Sequence, residues 1–265
     1  MQPAQGQQFG YYVGSHFRVV AALLIREMAT RFGSKPGGYI WAILDPAAYI
    51  IFLTVIFGAI AHKPALGTSF PLFFATGYIG FQFYSAVVTY VNGAVKSNKA
   101  LLSYPNVAAV DPVFARFLLQ LGTTSAVAAV ILGTISLFLK TPLVLDWAAI
   151  LEASLLACLL GLGAALFNNV MFLRFPIYEQ IFGIVNRPLF MVAGVFFLPD
   201  LIPHPFREML LINPLCHVLM RFRSGFYSEY DPGSLDMPYL YSFTACWLFA
   251  GMLTFTGYKH VLRKE

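Results

Sequence analysis

Charge is what this sequence has least of. Only 11% of its 265 residues are Asp, Glu, Lys or Arg, where a water-soluble domain carries about 25%. So few charges cannot cover a core against water, which excludes a soluble globular protein. Cysteine is equally scarce: Cys158, Cys216 and Cys246 stand far apart with no CxxC pair. That spacing gives neither a disulfide framework nor a thiolate zinc site, and the three read as small apolar packing residues. His16, His62, His204, His217 and His260 are solitary, and a lone imidazole at an interface is satisfied by water or backbone far more often than by metal. A phosphate-binding GxxxxGK[ST] loop is missing too. The nearest string, Gly33-Ser34-Lys35, lacks the upstream glycine and runs into a proline. There is no GxSxG-type nucleophile elbow and no pair of intramembrane carboxylates, so neither nucleotide hydrolysis nor membrane hydrolase chemistry is expected of this chain. The net charge of +5 is spread over segment ends without a dense basic run, which argues against nucleic acid as a partner. Residues 1–15 lack a charged stretch followed by an apolar one, so no cleaved signal peptide is expected and the N-terminus is expected to stay cytoplasmic.

What the sequence has instead is apolar length. Hydrophobic residues make up 58% of it, in recurring runs of about twenty, the length that crosses a bilayer as a helix. The runs predict an all-α membrane protein with six transmembrane helices at 40–61, 70–91, 112–139, 148–173, 177–198 and 239–258. Residues 16–32 place Phe17, Ala21, Leu24, Met28 and Phe32 at helical spacing, with His16, Arg26, Glu27, Thr30 and Arg31 opposite. This amphipathic pattern predicts a helix lying in the cytoplasmic interface or docked on a soluble partner. Asp111-Pro112 reads as a helix start, an acidic cap before a proline pre-set for the first turn. Ala153, Ala157, Gly161 and Ala165 form a ridge of small residues of the kind that lets helices approach closely in lipid. Residues 199–237 are proline-rich, and their apolar stretch from Met209 to Met220 is too short to cross, which predicts a re-entrant helical hairpin before the last span.

With six spans and the N-terminus inside, twelve of the seventeen Lys and Arg fall on the cytoplasmic side and five on the other. This agrees with the positive-inside rule and puts both termini in the cytoplasm. Asp45 sits about one turn inside the first span, where an ionisable group is costly and either functional or paired near the interface. Tyr39, Trp41, Phe81, Phe83, Tyr84 and Tyr90 crowd the first two spans, as interfacial anchors or as a flat wall against which sugar rings stack.

Three blocks carry a resemblance. "REMATRFGSKPGGYIWAILDP" (Arg26 to Pro46), "LLSYPNVAAVDPVFARFLLQ" (Leu101 to Gln120) and "NPLCHVLMRFRSGFY" (Asn213 to Tyr227) resemble the membrane subunits of type-2 ABC exporters of bacterial polysaccharides, nearest to the permeases of group 2 capsular polysaccharide export. The likeness covers nearly the whole chain; Asp45 departs from it, standing where glutamate is expected.

The resemblance implies a multi-pass permease of the bacterial inner membrane, not an enzyme, that pairs with a second copy of itself. ATP and Mg would be bound by two separate cytoplasmic ABC ATPase subunits, with no cofactor on this chain. Segment 94–108 would be the coupling helix in the ATPase cleft, with Lys99, Leu101, Leu102, Tyr104, Pro105 and Asn106 at the contact; otherwise it is an ordinary basic loop. The cargo would be capsular polysaccharide or its lipid-linked form, acidic in many capsules, passed on to periplasmic and outer-membrane export proteins. Arg26, Arg31, Tyr39, Trp41, Asp45, Phe81, Tyr84, Arg174, Arg187 and Arg221 are the conduit candidates, the arginines through bidentate contact with carboxylate or phosphate. Competing expectations are an exporter of O-antigen, teichoic acid or a lipophilic drug, a membrane-bound lipid or sugar transferase, and a passive channel.

Overall fold

A computed structural model describes residues 5–32, 37–102, 104 and 107–258. The described residues are helical, joined by turns. The helices are α1 (Gln5–Phe32), α2 (Ile40–Ile60), α3 (Phe70–Val91), α4 (Ala94–Ser97), α5 (Val110–Leu137), α6 (Trp147–Arg174), α7 (Pro176–Val192), α8 (Phe206–Leu211), α9 (Pro214–Ser224) and α10 (Met237–Gly257). Short 3-10 turns occupy Lys99–Leu101 and Pro199–Leu201. Five helices, α2, α3, α5, α6 and α10, are long and apolar enough to cross a bilayer. The expected span at 177–198 is interrupted: α7 has 17 residues, about 25 Å at the helical rise. It ends before Gly194, whose φ of +88° turns the chain, a conformation glycine adopts without steric cost.

Several starts follow from capping chemistry. Asp146 Oδ1 accepts from the amides of Ala148 and Ala149 at 3.0 and 3.2 Å, Asn213 Oδ1 from Leu215 at 3.0 Å, and Asp236 Oδ1 from Tyr239 at 2.8 Å. Each satisfies donors that the first helical turn leaves open. Asp111 is not a cap. α5 begins at Val110, and buried Asp111 instead accepts from the Ala108 amide at 2.8 Å and from His16 Nδ1 at 3.2 Å. α1 is likewise longer than the expected 16–32, beginning at Gln5, and it packs against α5.

The core is the α3–α6 pair, with α5, α9 and α10 against it. Ala153, Ala157, Gly161 and Ala165 are buried, and a Cβ on Gly161 would stand 2.9 Å from the Tyr84 carbonyl of α3. On the far side of α6, a Cβ on Gly251 would stand 2.4 Å from the Gly163 carbonyl, so α6 and α10 cross in backbone contact. In lipid, where apolar side chains gain nothing by leaving their solvent, this close packing is the main source of helix association. α2 and α7 lie outside the core with most of their apolar side chains exposed. The apolar stretch near Asn213 is two helices, α8 and α9, broken at Asn213-Pro214; α9 has 11 residues and buries eight of them.

Candidate functional site

Two regions gather the chemistry that the sequence singles out: the α3–α5 connection at one end of the bundle, and the face of α7. In the connection, α4 and the following turn are docked from beneath. Asn169 of α6 accepts from the Val95 amide at 3.1 Å and donates to the Val91 carbonyl at 2.8 Å. Asn98 is buried and donates to Glu27 of α1 at 3.2 Å, and it also accepts from Arg26. Leu102 is buried, whereas Lys99 and Tyr104 are exposed and Leu101 is half-buried. Pro105 and Asn106 lie outside the described residues. The segment thus turns Lys96, Lys99 and Tyr104 outward from a fixed base.

That base is a polar network the sequence reading passed over. Buried Glu27 pairs with Arg116 of α5 at 3.1 Å and accepts from the Tyr90 hydroxyl of α3 at 2.9 Å. Arg26 Nη2 reaches it at 3.3 Å. Burial alone would raise the Glu27 carboxyl, but the Arg116 charge and the hydrogen bonds from Arg116, Asn98 and Tyr90 outweigh it and hold the pKa below the ordinary value. Arg31 stacks over the Tyr90 ring at 3.9 Å and donates to Gln120 at 2.7 Å. Arg26 and Arg31, expected at a conduit, are therefore built into the junction of α1, α3, α5 and the connecting segment. The mixed face of the 16–32 helix was the available signal, since Glu27 sits among arginines there.

The other arginines differ in their surroundings. Arg221 donates to Glu152 of α6 at 2.7 Å, and Glu152 also accepts from Tyr241 of α10. Arg174 is exposed and lies 5.8 Å from the Tyr258 ring. Arg187 is exposed on α7, and among the described residues it has no hydrogen bond or ion pair. It stands eleven residues beyond Pro176, about 16 Å along the helix, roughly half the thickness of a hydrocarbon core.

The expected aromatic wall divides. Tyr39 and Trp41 are exposed at the start of α2, but Phe81 and Tyr84 are buried 6.1 Å apart, and Phe81 packs at 5.2 Å against Phe190 of α7. Tyr49 and Tyr78 join the same cluster at 4.9 Å. Asp45 is exposed and lines a cavity with Arg31, Tyr78 and Gln82. Its acidity on an α2 turn was visible in the sequence; its neighbours were not.

In the sequence Arg223 is one more positive charge, yet among the described residues it is the largest fully buried side chain. It donates to the carbonyls of Gly194 at 2.7 Å, Val195 at 2.7 Å and Phe197 at 3.1 Å, and lies 4.4 Å from the Phe73 ring. The turn that follows α7 is tied by this one guanidinium to α9 and α3. The signal was its helical position, with Cys216, Leu219 and Met220 on the same face.

Comparison with known proteins places these features in a family. The family model described as ABC-2 type transporter matches residues 18–227. The chain is 33% identical over 242 residues to the polysialic acid transport protein KpsM of Escherichia coli, covering 88% of this chain and 90% of that protein. It is 24% identical over 212 residues to the capsule polysaccharide export inner-membrane protein CtrC of Neisseria meningitidis serogroup A, and likewise to BexB of Haemophilus influenzae, covering 80% of each chain.

Proposed function

The chain belongs to the ABC-2 type transporter family, and from that membership we propose that it is the inner-membrane permease subunit of an ATP-driven capsular polysaccharide exporter. Two copies would form the conduit, each docking one ABC ATPase that binds ATP and Mg, and the polymer would leave toward periplasmic and outer-membrane export proteins. The names of the relatives support the cargo. Its lipid-linked, acidic character is part of the same reading.

One observation carries the conduit: Arg187 is exposed and unpaired among the described residues, eleven residues beyond the start of α7, which is near mid-depth if α7 enters the bilayer at Pro176. A guanidinium facing hydrocarbon there costs about 3 kcal/mol or more, so such residues face protein or a water-filled passage. α7 with the segment to Leu198 is then the sixth span, short because it borders the passage, and both termini lie inside. Residues 16–32 form the amphipathic interface helix, and α8 with α9 the re-entrant hairpin. Arg174, Tyr39 and Trp41 would meet the polymer beside Arg187. Arg26, Arg31, Asp45, Phe81, Tyr84 and Arg221 would flank the passage and support its wall.

Lys99, Leu101, Leu102, Tyr104, Pro105 and Asn106, within 94–108, would enter the ATPase cleft. Movement of that segment would pass through Asn98 and Glu27 to α1 and through Arg116 to α5. ATP acts only by favouring one arrangement of the ATPase pair over the other, which is what shifts the permease.

Thiol labelling tests the conduit. In a Cys246→Ser background, Arg187→Cys reacts with a membrane-impermeant charged thiol reagent and the label blocks export, while Met252→Cys on exposed α10 does not react. Equal, negligible reaction at both positions would place α7 in lipid and remove the conduit assignment.

A further inference from the structure

The surface shared by α1, α2 and α5 carries two adjoining cavities that share part of their lining and differ in chemistry. One, of about 190 Å³, sets the charged and polar side chains Arg31, Asp45, Tyr78, Gln82, Gln120 and Thr124 among apolar ones such as Pro46 and Ile79. The other, of about 400 Å³, is an apolar groove with Leu24, Met28, Ile43, Leu118 and Val130 along its walls. Ala42, Thr123 and Val127 line both. Because α2 and α5 are membrane-crossing helices, the groove lies where acyl chains are its natural solvent.

We propose that this composite cleft binds one zwitterionic phospholipid, with its phosphate on Arg31, its primary ammonium on Asp45 and an acyl chain in the groove. The argument is charge complementarity. A guanidinium is the side chain best shaped for phosphate, and this one is held in place by Tyr90 beneath it and by Gln120, which in turn donates to Thr124 at 2.8 Å. A lipid with only negative charge would bring its phosphate beside the Asp45 carboxylate and offer that carboxylate no cation. A neutral apolar ligand would offer the Asp45 carboxylate no cation, while Gln82 already donates to Tyr78 and Gln120 already bonds Arg31 and Thr124. A headgroup carrying both signs brings a group of opposite charge to each of the two charged residues that line the cavity. The ammonium must also donate hydrogen bonds, which a quaternary amine cannot do.

The site has a consequence for the junction described above. Arg31 belongs to the same surroundings as Tyr90 and Arg116, so a bound headgroup touches the elements that carry the α3–α5 connection.

The test uses the purified full chain in detergent, incubated with equal amounts of phosphatidylethanolamine, phosphatidylglycerol and phosphatidylcholine of identical acyl chains, with retained lipid read by native mass spectrometry. Wild type retains phosphatidylethanolamine at least fivefold over either other lipid. Asp45→Asn reduces it to the level of phosphatidylglycerol, and Arg31→Gln lowers all three while Arg31→Lys restores part. Gly122→Phe fills the groove, since a Cβ on Gly122 meets nothing within 4 Å, and it cuts retention with both charges intact. Should Arg31→Gln fail to fold, Asp45→Asn and Gly122→Phe decide the matter alone. Preference for phosphatidylglycerol, equal retention of the three lipids, or a preference unchanged by both of those variants would overturn the proposal.

Discussion

Arg116 Nε of α5 lies 3.1 Å from Glu27 Oε1 of α1, with both side chains largely withdrawn from solvent. Removing one partner of a buried pair leaves the other charge uncompensated, typically a loss of about 3 kcal/mol or more. Glu27→Ala therefore lowers the melting temperature of the purified protein substantially. Glu27→Ala combined with Arg116→Met recovers part of the loss, because the stranded guanidinium is gone. A single variant that melts like wild type would show that the pair does not hold α1 to the bundle.

Arg223 makes the second testable link. Arg223→Met strands the carbonyls of Gly194, Val195 and Phe197, at about 1–3 kcal/mol for each buried group left unsatisfied. The effect is local: hydrogen exchange speeds up over residues 193–201 before it changes in α3 or α6. Uniform exchange across the molecule would instead indicate a general packing defect.

His217 links stability to pH. It is buried outside the membrane-crossing helices; its Nδ1 accepts from the Asp236 amide at 3.1 Å and its Nε2 donates to the Leu211 carbonyl at 2.9 Å. The bond to the Asp236 amide needs the neutral ring, because a protonated Nδ1 cannot accept, whereas the Leu211 bond is open to either form. Burial lowers its pKa below the ordinary value, against smaller opposing effects of the Leu211 bond and the Asp236 charge. The unfolded chain then binds the proton more readily, so this contribution is complete above about pH 6.5, the unfolded value, and declines as pH falls below it toward the folded pKa. Melting measured from pH 7.5 to 5 falls for wild type and loses that component in His217→Gln; parallel curves would contradict the assignment.

Helix approach gives a fourth prediction. Gly251→Ala places a methyl 2.4 Å from the Gly163 carbonyl, while Gly133→Ala meets nothing within 4 Å. Forcing α6 and α10 apart costs about 1–3 kcal/mol, so the first variant melts lower and the second does not. Equal melting temperatures would remove the backbone contact from the account.

Much of this fold was legible as periodicity and length. Runs at 70–91 and 239–258 became helices within two residues of their expected bounds, and the small-residue ridge on α6 packs as its spacing implied. At 177–198 the helix stops at Val192, because hydropathy does not register a glycine that turns the chain at Gly194. Pairing was the other blind spot. The sequence displays Arg26, Arg31, Arg116, Arg221 and Arg223 as equivalent positive charges, and only the fold distributes them among Glu27, Gln120, Glu152 and three backbone carbonyls. Arg187, left without a described partner, was no more conspicuous in the sequence than the others.

The central claim is that this permease exports capsular polysaccharide through a passage bordered by α7. Its most direct measurement is surface polymer in capsule-synthesising cells that lack their own permease, complemented with this chain and its ATPase. Wild type restores surface polysaccharide. Arg187→Ala lowers it at least tenfold at equal membrane abundance, with polymer accumulating inside the cell. Restored export that is indifferent to Arg187→Ala would contradict the passage, and no restoration by the wild type would contradict the cargo.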